Sequence, residues 1–493
     1  MLWERPFQHS IRPDFKDGFL LPYHAAIEKA ATDPEFEPES VIAYSPEDRP
    51  LEFSHGSQLV TQDGAIAALL ACAESLRVAK KSLPGNWDHC LQWIDDRLGE
   101  LWKARGPCPG LGSALSAFGV EQGNFVARAL ADVAGDNADP WPLVEQAFAD
   151  PKKHLPGPLA EKIGKTLSAK WVKLPAERRA LLQLLSRFEI TVDQATLLYV
   201  QAERAKANIA TSDADILANP YLLYELTRLS DAPMSVWTID RGVFPDEVVR
   251  AAHPLPEPSA LDAGTDARRV RALTISVLEA AAATGNSLLP QDQVVLRIRD
   301  LELRPPCAVD SDLMTVAAEA FGDAIAEVPL ASGAPALQLG RLVEMGAVIR
   351  TSITKRASGK RLEITADWRK LLDVHLATKG AGKADELEEQ AREEKTSALK
   401  ELAESRVSVL IGPAGTGKTT LLSVLCGHPE IAAGDILLLA PTGKARVRKE
   451  QSTKELKLKG FTIAQFLSPD RYDGPTGRYR LSDKTPDDCP RTV

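Results

Sequence analysis

"SVLIGPAGTGKTTLLSVL", residues 408–425, decides how the rest of the chain is read. It fits G-x-x-x-x-G-K-[ST] with Gly412, Gly417, Lys418 and Thr419, after an apolar run at 407–411 and before a helical pattern. Strand, glycine turn and helix in that order make a phosphate holder. The glycines let successive backbone N–H groups converge on phosphate oxygens, and the helix that follows adds the partial positive charge of its N-terminus. The expected nucleotide-binding residues are Gly412, Pro413, Ala414, Gly415, Thr416, Gly417, Lys418, Thr419 and Thr420. Lys418 and Thr419 are the catalytic candidates, the ammonium reaching the β and γ phosphates and the hydroxyl ligating Mg²⁺, so ATP and Mg²⁺ are the expected cofactors. The competing reading is a plain glycine turn between a strand and a helix.

Working outward, 493 residues are too many for one compact core. The 44% hydrophobic and 26% charged fractions are those of an ordinary globular protein. No run of about 18 uncharged apolar residues occurs, and the N-terminal "MLWERPFQHSIRPDF" carries charges where a signal peptide would be apolar. The expectation is a cytosolic, cytoplasmic protein with no membrane partner. Cys72, Cys90, Cys108, Cys307, Cys426 and Cys489 form no C-x-x-C pair, which argues against a structural metal site. With a net charge of −9, the surface as a whole repels polyanions, and any nucleic-acid contact has to come from local basic patches.

Residues 1–87 read as a mixed module of unreadable role, with "VIAYS" at 41–45 as a short strand and "GAIAALLACAESLRVAKK" at 64–81 as a helix. Residues 88–265 are helical, broken by "GPCPGLG", "GDNADPWP" and "HLPGP". Residues 266–379 hold helices at 268–283 and 336–345. These are followed by "AVIRTSITKRASGKRLEITADW", whose two alternating runs flank Ala357-Ser358-Gly359 like a β-hairpin. Helices and a basic hairpin predict a winged-helix-like module, with Lys355, Arg356, Lys360 and Arg361 gathered at a tip that could meet a DNA backbone. The alternative is a soluble charged hairpin. Trp368 reads as a packing aromatic, and His375 and His428 as structural. A Gly/Lys stretch near 380 and a charged helix lead into the phosphate loop, so 380–493 is the last domain.

"IGPAGTGKTT", then "LLLAPTGKAR", then "FTIAQFL" resembles the first motifs of superfamily 1 helicases, and within them the RecD-like branch. The resemblance covers about residues 390–493. It implies an α/β P-loop NTPase fold, RecA-like but incomplete, preceded by the mainly helical region. It also implies an ATP-dependent DNA helicase running 5′ to 3′ on single-stranded or forked DNA. Thr442, Gly443, Lys444 and Thr462 would touch the DNA backbone, and Arg446 adds charge beside them; an ordinary strand-to-helix turn is the alternative. Lys395 stands where the family has a glutamine that reads adenine, Gln390 lies too early, and Ala464 replaces a frequent histidine. Upstream, "DADILANPYLLYELTRL" resembles the segment before the motor in RecD-like proteins. "LLQLLSRFEITVDQATLLYV" and "PCPGLGSALSAFG" read as possible helix-hairpin-helix units, the second with Gly110 and Gly112 in its turn. By the same resemblance, "TV" at 492–493 would open the strand leading to the catalytic Asp-Glu pair. That places the acids and a second RecA-like domain in a missing C-terminal motor half, from the same gene or a separate chain. Two rivals remain: a non-catalytic DNA-binding or assembly module with a structural nucleotide, and the helicase part of a conjugative relaxase.

Overall fold

The structure, a computed structural model, describes residues 21–46, 49, 52–53, 60–261, 263–301, 303–378, 386–413, 415–433, 436–452, 460–467, 472–473, 478–479 and 491–492. It divides into two compact units, Met1–Val343 and Glu344–Val493. The division falls inside one helix, Gly340–Ala357. Cys489 and most of "LSDKTPDDCPRTV" lie outside the described residues.

The first unit is mostly helical. Helix Gln62–Ser82 starts where the Thr61 hydroxyl accepts the Gly64 N–H, and ends on Lys80 and Lys81, which suit the negative end of its dipole. "VIAYS" is not a strand: a 3₁₀ turn, Pro38–Val41, ends inside it, and 42–46 join no sheet among the described residues. The helices Leu111–Phe118, Ala176–Ser186 and Val192–Tyr199 converge on one core with Phe118, Leu181, Leu185 and Phe188 almost fully buried.

The two proposed hairpins interlock here. Gly110 N–H donates to Ser186 O at 2.8 Å, and the Ser113 hydroxyl donates to Ile190 O at 2.6 Å. A β-carbon on Gly110 would stand 2.0 Å from Phe188 O, so only glycine permits the approach. Gly110 and Gly112 are buried, and the Gly110 amide is spent inside the protein rather than offered to a phosphate.

Charge is also buried in this unit, and among the described residues it is paired. Asp63, fully buried, lies among the guanidinium groups of Arg105, Arg241 and Arg49. Burial alone would push its carboxyl up, but those three arginines overcome burial and hold it below its ordinary value. Asp240 accepts from Nε and Nη2 of the fully buried Arg269 at 2.7 and 2.8 Å and accepts the Tyr221 hydroxyl at 2.6 Å. A cavity of about 760 Å³ in the same unit is lined by Trp102, Trp237, Phe244 and Arg304 among others.

From 267 to 339 the order is helix Ala267–Ala283, strand β1 (Leu289–Pro290), helices Gln291–Arg299 and Ser311–Ala317, then β2 (Ile325–Pro329) and β3 (Pro335–Leu339). The three strands form an antiparallel sheet in the order β1-β3-β2. Its hairpin turns through Ala331-Ser332-Gly333, with Gly333 at φ 83°. The hairpin expected at Ala357-Ser358-Gly359 is therefore corrected. That triplet closes the helix Gly340–Ala357, with Ser358 N–H on Thr354 O at 2.9 Å and Gly359 N–H on Arg356 O at 3.1 Å. The expected helix at 336–345 is likewise strand up to Leu339. The physical reason is a shared pattern. Met345, Val348, Ile349 and Ile353 recur at helical spacing as readily as "VIRTSIT" alternates, and helix hydrogen bonds satisfy the backbone without a partner strand.

The second unit is held by Ile364, Trp368, Leu372, Leu399, Ala403, Leu421, Val424, Leu425 and Ile431, so Trp368 is a packing residue. Its sheet has β4 (Ile436–Ala440) between β5 (Gly460–Thr462) and β8 (Arg491–Thr492), all parallel. A short antiparallel pair, β6 (Tyr472–Asp473) and β7 (Arg478–Tyr479), precedes β8. The expected strand at 407–411 is not formed: among the described residues it pairs with no strand. Val409 and Ile411 are 82% and 85% exposed, because a strand exists only where a neighbour takes its N–H and C=O groups.

Candidate nucleotide site

The site grows from two helices and the loop between them. Helix Glu386–Glu404 packs Leu399 and Ala403 against Leu421, Val424 and Leu425 of helix Lys418–Cys426, which fixes where the second helix begins. The loop reaches that start through two left-handed glycines, Gly415 at φ 87° and Gly417 at φ 85°, with Gly417 as the N-cap. A side chain at either position would strain the backbone. Leu421 N–H takes Gly417 O at 3.0 Å, and the N–H groups ahead of it belong to the first turn, which has no intrahelical acceptor.

Thr416 braces the loop with its hydroxyl on Pro413 O at 3.0 Å. Lys418 bends back across the loop, its Nζ 2.5 Å from Gly412 O and 2.7 Å from Pro413 O. An ammonium has three donors and no acceptor, so these two carbonyls take the place that anionic oxygens would fill. Gly412, Pro413, Gly415, Thr416 and Thr419 are exposed, while Gly417, Lys418 and Thr420 are half-buried. Ala414 lies outside the described residues. An open loop with left-handed glycines, first-turn amides and one ammonium at its centre fits a polyphosphate, and the exposed Thr419 hydroxyl fits a magnesium ion beside it.

Lys395 is a half-buried residue of helix Glu386–Glu404, and the structure brings it to this loop: a β-carbon on Gly417 would lie 3.5 Å from its Cε and 3.7 Å from its Nζ. Gln390 is exposed more than a turn earlier on the same helix. Sequence reading had Lys395 only as a departure from a family pattern, since periodicity does not say which helix face meets the loop.

The residues expected to meet DNA fall into two groups. In the first, Thr442 and Thr462 sit at the carboxyl ends of β4 and β5, which the register Ala440↔Thr462 sets side by side. Both threonines cap helices: Thr442 Oγ1 accepts Ala445 N–H at 3.3 Å, and Thr462 and Gln465 form a reciprocal box at 3.1 and 3.0 Å. Gly443 and Lys444 are exposed there, Arg446 is half-buried, and Ala464 is half-buried in the helix Ile463–Leu467.

The second group does not form the expected tip. Lys355 and Arg356 are exposed on the last turn of Gly340–Ala357, which suits the helix dipole. Lys360 pairs with Glu363 at 2.9 Å, and Arg361 takes both oxygens of Glu401 at 3.0 and 2.7 Å. The Arg361 guanidinium and the Ser405 hydroxyl hold the Glu401 carboxyl down to about 2. The anticipated positive patch is thus partly neutralised by its own carboxylates.

Among the described residues no helix is long and apolar enough to cross a membrane. Residues 390–486 match the family model described as an AAA domain, a P-loop ATPase family found in helicases. The match spans well under half of the chain. No curated protein matches it. The matched segment contains the whole phosphate loop, Lys395 and both strand-end threonines, so it carries an AAA-type P-loop domain of nucleotide-binding kind.

Proposed function

We propose that residues 390–486 are the nucleotide- and DNA-gripping front of an ATP-dependent, RecD-like DNA helicase motor. The observation that carries this reading is the content of one small matched segment: the phosphate loop opens the helix Lys418–Cys426, and the carboxyl ends of β4 and β5 lie side by side with Thr442, Gly443, Lys444 and Thr462 at or just beyond them. Bound Mg-ATP would supply the hydrolysable phosphoanhydride and the charge that orders the loop. Gly415 and Gly417 shape the loop for it. Lys418 releases Gly412 O and Pro413 O and turns its Nζ to the β and γ phosphates. Thr419 offers its hydroxyl to the metal. At the strand ends Lys444 donates to a DNA phosphate, while Thr442 and Thr462 hold the two loops in shape through their helix caps.

The order helix, strand, two helices and two strands in 267–339, with its antiparallel β1-β3-β2 sheet, supports a winged-helix-type module in place of the one expected around Gly359. Its turn at 330–334 has no charged residue and its helix Ser311–Ala317 carries Asp312, so we assign its DNA contacts no part in the grip.

Fluorescence anisotropy with a labelled single-stranded oligonucleotide tests the DNA half. Lys444→Ala should weaken binding without regard to sequence and lower the slope of log K against log salt by about 0.7, the value for one single-strand phosphate contact. An unchanged slope and affinity would remove the loop after β4 from the interface.

A further inference from the structure

Lys395 is a charge with nowhere to go. Helix Glu386–Glu404 is dense in carboxylates, and its other cations are matched: Arg392 to Glu388 and Asp373, and Lys400 to Glu404. Ion pairs on a helix form three or four residues apart. From Lys395 those positions hold Ala391, Arg392, Ala398 and Leu399, so the sequence gives it no carboxylate to pair with. Among the described residues its Nζ has no ion-pair partner, and the side chain is half-buried beside Gly417. Next to it, at the N-cap Gly417, begins the helix Lys418–Cys426, whose first-turn N–H groups make that end electropositive. A half-buried ammonium set against like charge is costly unless an anion lies between them.

We propose that Lys395 is a second phosphate-binding lysine of this site, so that the site selects for polyphosphate charge rather than for the base. The inference rests on the nucleotide reading above and deepens it. Lys418 would hold the phosphates from inside the loop and Lys395 from the flank, through its three ammonium donors. An ammonium has no acceptor for the adenine amino group, so it supplies no adenine preference of its own.

The probes are Mg-ATP, Mg-GTP and inorganic tripolyphosphate, titrated calorimetrically against the full chain and its Lys395→Ala, Lys395→Gln and Lys418→Ala variants. Both Lys395 variants should weaken ATP and tripolyphosphate by the same factor, about tenfold, as expected for one charge-assisted contact. ATP and GTP should bind the wild type within about threefold of each other. Lys418→Ala should lose all three. Circular dichroism melting should not fall in the Lys395 variants, since they remove an ammonium that is set against like charge and makes no ion pair among the described residues.

Unchanged affinity in the Lys395 variants, with loss in Lys418→Ala, would overturn the inference and leave the nucleotide site standing. A loss for ATP with tripolyphosphate unaffected would overturn it too, by placing Lys395 on the base. Wild-type protein that binds none of the probes would overturn the nucleotide site and the inference with it.

Discussion

The interlocked turns of the first unit allow a stability effect to be worked out from distances. A β-carbon on Gly110 would lie 2.0 Å from Phe188 O and 3.1 Å from Leu185 O, the first short of ordinary contact by more than about 1 Å. Both obstacles are backbone atoms, so no side-chain rotation relieves them. The turn after Ala176–Ser186 has to withdraw, and with it go the 2.8 Å bond from Gly110 to Ser186 and the 2.6 Å bond from Ser113 to Ile190. Each bond contributes about 1 kcal/mol net, and each buried group left unpaired costs about 1–3 kcal/mol. Phe188, fully buried, loses packing as well. Gly110→Ala should therefore destabilise the first unit by about 3–5 kcal/mol, among the larger effects of a single substitution. The assay is urea unfolding followed by far-ultraviolet circular dichroism. Gly99→Ala is the control, because nothing lies within 4 Å of a β-carbon there and alanine in a helix is worth about 0.5–1 kcal/mol over glycine. If Gly110→Ala stays within 1 kcal/mol of wild type, the turns are not interlocked and the Gly110 amide is free for a ligand.

Two further outcomes are expected. Asp63→Asn removes the buried carboxylate that Arg105 and Arg241 share and should cost about 3–5 kcal/mol at pH 7. The wild-type carboxyl is held below its unfolded value of 3.8, so its stabilisation is in full above that value and fades as pH falls through the folded-state value; unfolding titrations should show the gap to Asp63→Asn closing on acidification, and a pH-independent gap would be the contrary result. Gly417→Ala places a methyl in ordinary contact with Lys395 but forces a left-handed backbone, a local strain of about 1–2 kcal/mol. Calorimetric Mg-ATP affinity should fall about tenfold while the urea midpoint of the first unit stays put, and a shift in that midpoint would mean the strain is not local.

The phosphate loop was legible in the sequence because its chemistry is local: left-handed glycines, one lysine and a helix start leave their mark within ten consecutive positions. Trp368 was legible as a packing residue because a lone tryptophan makes no stacking platform for successive bases. The hairpin was misplaced because the chain holds two Ala-Ser-Gly triplets, at 331–333 and 357–359, and turn chemistry alone does not separate them. What separates them is the pairing of β2 with β3, a contact between runs that each look ambiguous alone. The signal available was "IAEVP" and "PALQL", short runs on either side of the first triplet. The strand at 407–411 failed for the same reason in reverse, since its apolar run is strand-like but strandhood needs a neighbour. Lys395 beside Gly417 and the ion pairs of Lys360 and Arg361 were out of reach, because they depend on which faces of distant segments meet.

The most direct test of the site is the binding of Mg-ATP to the full chain, measured calorimetrically with and without Lys418→Ala. Wild type should bind at one site, and the variant should lose that binding while keeping its circular dichroism spectrum. Equal affinity in the two proteins would contradict the assignment of residues 412–420 as the phosphate grip.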